Sequence, residues 1–91
     1  MVNNEFGAME RALREENTYF TIEEFAEFLE WAGYEEFSKD VLVAMEKGEM
    51  PPPNRRDVDI IGRHLKCTPI QIDQLHQAAR YTHLKNTGYE L

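Results

Sequence analysis

The stretch FSKDVLVAMEKGEMPPP, from Phe37 to Pro53, decides the fold. Ser38 is a good helix N-cap, because its hydroxyl can accept from an orphan amide two or three residues on. Val41, Leu42 and Met45 recur at helical spacing and predict a buried stripe. Lys47 falls in the last turn, where the helix dipole favours a cation, and Gly48 follows as the natural left-handed residue. Pro51, Pro52 and Pro53 cannot extend a helix, so the chain must turn an extended corner. One short helix is predicted, starting after Ser38 or as early as Glu35 with Phe37 turned inward.

The same signals repeat downstream. Asn54 caps a further helix, with Asp57 in the capping-box position and Val58, Ile61 and Leu65 as its inner stripe beside Ile60. Gly62 costs about 1 kcal/mol relative to Ala inside a helix, which points to a close helix crossing. Thr68, Pro69 and Gln71, in T-P-I-Q, open the next helix. Ile72, Leu75, Ala78 and Ala79 give its inner face, extending towards Thr82 or His83, and residues 84–91 read as a frayed tail.

Upstream, residues 4–16 place Phe6, Met9 or Glu10, and Leu13 on one side of an amphipathic helix that Asn17 can end. Tyr19 and Phe20 are expected to pack inward. Thr21 with Glu24 forms a capping box, Phe20 can staple onto Phe25, and Ile22, Phe25, Ala26 and Leu29 form the buried stripe. Gly33 is the expected stop, and Trp31 and Tyr34 beside it are expected at the core or its rim. No segment alternates as a strand does. The fold class is all-α: a compact single domain over 1–91 of about five short helices, with its core over about 5–83.

A chain of 91 residues with 42% apolar content can bury a core without metal or disulfide staples. Cys67 is the only cysteine, so a reducing, cytoplasmic setting is expected. The first residues, MVNNEFGAME, hold no basic region and no long apolar run, so no signal or transit peptide is expected, and nothing reaches the length of a membrane span. The charge is uneven. Residues 1–50 set four cations against thirteen acids, a net −9, while residues 51–91 carry a net +2. A polyanion would be repelled by the first half and met only by a local basic face.

Catalytic chemistry finds no support. His64 and Cys67, and His76 and His83, fall on two helices and a loop with no close-spaced cysteine pair, so no metal site is expected. Asp57 and Asp59 do not share a helix face, no nucleophile has a base in recognisable context, and no glycine-rich phosphate loop occurs. Neither an enzyme nor a cofactor is expected.

Three segments resemble the Cro/lambda-repressor-like (Xre-type) helix-turn-helix family: T-I-E-E-F-A-E-F-L at 21–29, S-K-D-V-L-V-A-M-E-K-G-E-M-P-P at 38–52 and R-D-V-D-I-I-G-R-H-L at 56–65. The run Met45-Glu46-Lys47-Gly48 is the most specific match, and the turn is expanded by E-W-A-G-Y-E-E at 30–36. The resemblance covers roughly residues 5–80. It implies a lambda-repressor-like fold whose second motif helix lies in the major groove of double-stranded DNA while the first crosses the backbone. It places Ser38, Lys39 and Asp40 at the groove end of the reading helix, with Val43 and Lys47 outward along it. Thr21 and Ile22 would offer backbone amides to a phosphate, and Arg55 and Arg56 would add phosphate contacts past the proline corner. The implied protein is a transcriptional regulator, binding as a homodimer because few cations face the DNA.

The alternative is a protein-interaction module, an adaptor or modulator of another regulator on the same scaffold. Trp31 and Tyr34 are the candidate interface aromatics, and the acidic first half would select a basic protein partner. A continuous positive face over Lys39, Lys47, Arg55 and Arg56 would favour DNA; a broken one would favour the protein partner.

Overall fold

The computed structural model describes residues 4–86, with side chains through Thr82. Each helix start that the caps predict is present. The helices are α1 (Glu5–Asn17), α2 (Ile22–Trp31), α3 (Lys39–Lys47), α4 (Arg55–His64) and α5 (Pro69–Asn86), and no strand occurs among the described residues. Thr21 and Glu24 close a reciprocal capping box, and Thr68 with Gln71 closes another. Ser38 caps α3 through the Val41 amide, and Asn54 caps α4 through the Asp57 amide at 2.9 Å. The helix of the central stretch therefore begins after Ser38, and Phe37 is buried ahead of it. The tail expected from residue 84 is still helical as far as Asn86, and residues 87–91 lie outside the described residues.

Three helices end on the same backbone device. Past α2, the Tyr34 amide donates to the Leu29 carbonyl and the Gly33 amide to Glu30. Past α3, Glu49 reaches Ala44 and Gly48 reaches Met45; past α4, Cys67 reaches Gly62 and Lys66 reaches Arg63. This pairing satisfies the last carbonyls and requires a left-handed residue at the turn. Gly33 at φ +98° and Gly48 at φ +74° supply it. At the third turn Lys66 adopts φ +59° despite its Cβ.

The inner stripes meet in one core. Phe6, Phe25, Leu29, Leu42, Ile61, Leu65 and Leu75 are fully buried, each contributing about 1.5–3 kcal/mol by leaving water. Helix α1 lies against α5 and α3, α2 packs on α3, and α4 on α5. Gly62 marks the expected close crossing, since a Cβ there would come 3.0 Å from Ile72. Thr82 is buried and its hydroxyl accepts the Phe6 amide at 2.9 Å, tying α5 to the first turn of α1.

The α1–α3 contact is polar at its centre. Gly7 sits so close to α3 that a Cβ would lie 2.5 Å from the Met45 carbonyl oxygen. Asn4 does not cap its own helix; its amide donates to the Glu46 carbonyl at 2.6 Å. Arg14, almost fully buried, holds the Glu46 carboxylate through Nε at 3.3 Å and Nη2 at 3.1 Å and donates Nη1 to the Phe20 carbonyl at 3.0 Å. Glu10, rather than Met9, occupies the inner face beside them.

Two aromatic placements differ from expectation. Tyr19 is fully exposed, because the linker after Asn17 turns outward and leaves only Phe20 to staple onto Phe25, at 6.3 Å between ring centroids. Trp31 is 83% exposed, at the last residue of α2. Tyr34 does pack at the rim of the core.

Candidate nucleic-acid interface

Helices α2 and α3 bring their amino ends to one surface. Thr21 and Ser38 are both exposed, and the first turns of the two helices are joined by an ion pair between Lys39 Nζ and Glu23 Oε1 at 3.3 Å. Both hydroxyls are already engaged as caps, and the Thr21 amide, expected to meet a phosphate, instead donates to the Glu24 carboxylate at 3.0 Å, so each residue offers its helix end rather than a free donor. The Glu23 carboxyl is held below its ordinary range by its own backbone amide and by the Lys39 ammonium.

Asp40 and Lys47 are exposed on α3. Val43, expected outward, is half-buried, because α3 sits deep between α1 and α2 and only part of its circumference is free. The orientation of α3 is fixed at its other end by Arg14 on Glu46 and by the left-handed turn at Gly48. Arg55 and Arg56 are exposed in the first turn of α4; Arg56 leans on Asp57 at 3.2 Å, and Arg55 lines a separate cleft against α5.

Between α2 and the entry to α3 runs an acidic groove of about 400 Å³. Glu23, Glu27, Glu30 and Glu35 line it with Ser38 and Lys39. Among the described residues Lys39 is its one cation, and it is paired to Glu23, so the positive face is broken at Lys39. The spacing of Glu23, Glu27 and Glu30 marks one face of α2 in the sequence; the convergence of Glu35 on that face required the path of the loop.

The aromatic side chains form a separate surface. Trp31 stacks on Phe28 at 6.3 Å and 14°. The His64 ring meets Phe28 and Tyr34 edge-on at 5.5 and 5.3 Å, and its Nδ1 lies 2.7 Å from the Ile60 carbonyl oxygen. His64 is a packed, hydrogen-bonded side chain. His76 Nε2 lies 2.6 Å from Asp59 Oδ1. Burial pushes the Cys67 thiol up, while the Asn17 amide opposes this weakly, so the thiol is a poor nucleophile at neutral pH. The side chain of His83 lies outside the described residues.

Among the described residues, no helix is long and apolar enough to cross a membrane. No family model, no curated protein and no solved structure matches the chain.

Proposed function

We propose that the chain is a DNA-binding protein of the lambda-repressor-like helix-turn-helix type, acting as a transcriptional regulator and docking as a homodimer. The observation that carries the reading is the shared surface of Thr21 and Ser38, with the first turns of α2 and α3 tied by Lys39 and Glu23 at 3.3 Å. Two helix amino ends presented side by side offer partial positive charge to adjacent phosphates. In this reading α3 enters the major groove, with Ser38, Lys39 and Asp40 at the base edges and Val43 against a thymine methyl. The acidic groove weakens the contribution of Lys39, so Lys47, Arg55 and Arg56 supply most of the phosphate contacts, from outside that groove. A dimer doubles this small set.

The test is selection of a duplex from a random library, followed by a salt titration of the bound complex. Affinity should fall steeply with salt, and Lys39→Ala and Arg56→Ala should each weaken it. Absence of duplex binding at low salt would sink the proposal.

The break in the positive face at Lys39 favours a second reading, a module that takes a basic protein segment, and so do the four glutamates that line the α2–α3 groove, with Trp31 exposed at the end of α2. Saturable binding of an Arg/Lys-rich peptide, abolished by Glu27→Gln with Glu30→Gln, in a protein that ignores duplex DNA, would establish it.

A further inference from the structure

The proline corner, α4 and α5 enclose a second cleft, of about 630 Å³, within the size range of small-molecule sites. Its walls differ from those of the α2–α3 groove. Pro52, Pro53, Val58 and Ala79 supply apolar surface, while Arg55 reaches it from the first turn of α4 and Arg80 from α5. The chain carries 17 acids against 10 lysines and arginines, yet among the described residues no carboxylate lines this cleft. Among the described residues neither Arg55 nor Arg80 has an ion-pair partner. Asp59 is not part of the wall; its Oδ1 is held by His76 Nε2 at 2.6 Å.

Two unpaired guanidiniums on one cleft repel each other weakly and gain together from a shared anion. Each presents a planar fork that matches phosphate or carboxylate oxygens. A single carboxylate would neutralise only one of them, whereas a phosphate monoester carries close to two charges at neutral pH. The apolar walls add a preference for a body attached to that group, since water leaves both surfaces on contact.

We infer that this cleft binds a small organic phosphate, its phosphoryl group held by Arg55 and Arg80 and its apolar body against the proline corner. The site stands independently of the DNA reading, although Arg55 serves both.

The test titrates the full chain, labelled with nitrogen-15, with phenyl phosphate, inorganic phosphate and benzoate at constant ionic strength. Phenyl phosphate should give saturable shifts at the Val58, Ala79 and Arg80 amides and bind more tightly than either of the other two. Arg55→Gln and Arg80→Gln should each weaken it by about tenfold. Both lie at exposed helix positions, and a far-ultraviolet spectrum with a thermal melt verifies that each variant folds. Shifts that never saturate, that match those from sodium chloride, or that survive Arg80→Gln overturn the inference. Equal affinity for inorganic and phenyl phosphate overturns the assignment to an organic phosphate. A parallel arm measures the selected duplex, where Lys39→Ala should act on DNA alone and Arg80→Gln on phenyl phosphate alone. Loss of the first pattern with retention of the second overturns the DNA reading and leaves the cleft.

Discussion

Arg14 and Glu46 are thirty-two positions apart in the sequence, yet their side chains, each about 10% exposed, meet at 3.1 and 3.3 Å between α1 and α3. The guanidinium also holds the Phe20 carbonyl, so one side chain ties α1, the following linker and α3. Removing one partner of a buried pair leaves the other charge stranded. Arg14→Met should therefore cost about 3–5 kcal/mol, read as a lowered urea midpoint. Arg14→Lys should recover only part of it, because an ammonium cannot make the paired contact and reach Phe20 as well.

Glu10 stands beside that pair with both carboxyl oxygens buried and without a donor. Its carboxyl is pushed well above the ordinary 4.5, first by burial and then by the Glu46 carboxylate, against which Arg14 pulls the other way. The neutral acid is thus the form that fits, able to donate to Glu46. In the unfolded chain the proton leaves near 4.5; in the folded chain it stays on longer, so the folded state binds more protons in between. Stability from this group is complete below 4.5 and is lost as pH rises towards the folded value, at no more than about 1.4 kcal/mol per pH unit. Glu10→Gln cannot ionise. Its stability advantage over the parent protein should grow as urea melts move from pH 4.5 to 8, and a constant difference would refute the account.

Gly7 and Gly33 separate two reasons for glycine. A Cβ on Gly7 would come 2.5 and 2.7 Å from the Met45 and Glu46 carbonyl oxygens and would also strike Asn4, although its helical backbone suits any residue. Gly33 has open space around it but φ at +98°. Gly33→Ala should cost about 1–2 kcal/mol through backbone strain alone. Gly7→Ala should cost more, because α1 must lift from α3 and loosen the Arg14–Glu46 contact. Equal thermal shifts for the two variants would contradict this.

The helix starts were legible because caps are local: Thr21, Ser38, Asn54 and Thr68 announce themselves within three residues. The stripes of Leu42, Met45, Val58, Ile61 and Leu75 were legible by period. The polar centre was not. Glu10 is an alternative to Met9 on the inner face, but Arg14 and Glu46 look like surface charges in the sequence, and the close approach of α1 to α3 at Gly7 buries them together. The exposure of Tyr19 and Trp31 was illegible for a related reason, since a large aromatic suggests burial and the path of the linker decides otherwise. In the candidate interface the residues on α2 and α3 were implied by the family resemblance and not by spacing, Val43 is half-buried where it was expected outward, and the groove beside them depends on how the loop through Glu35 returns.

Lys66 offers a gain. It holds a left-handed conformation, φ +59°, that costs an L-residue about 1–2 kcal/mol and glycine little. Its own amide bonds Arg63 and the following Cys67 amide bonds Gly62, both of which glycine preserves. Glycine also gives the unfolded chain more freedom, which offsets part of the relief. Lys66→Gly should raise stability by about 0.5–1 kcal/mol, measured by urea unfolding, whereas the same change at the right-handed Arg63 should lower it.

Glu23 provides the sharpest division between the two functional readings. It is exposed, it holds Lys39 at 3.3 Å, and it contributes to the acidic groove. If α3 reads DNA, Glu23→Gln removes a charge that repels phosphate and releases the Lys39 ammonium towards the backbone. Duplex affinity should then rise by about three- to tenfold at low salt, and the salt dependence should steepen by about one counterion per protomer. If the groove takes a basic segment, the same substitution removes an attractive charge and lets Lys39 repel the partner, so peptide affinity should fall. The fold bears on neither outcome, because Thr21 and Glu24, not Glu23, make the cap that starts α2. One variant therefore moves the two binding constants in opposite directions, and the direction measured identifies the ligand.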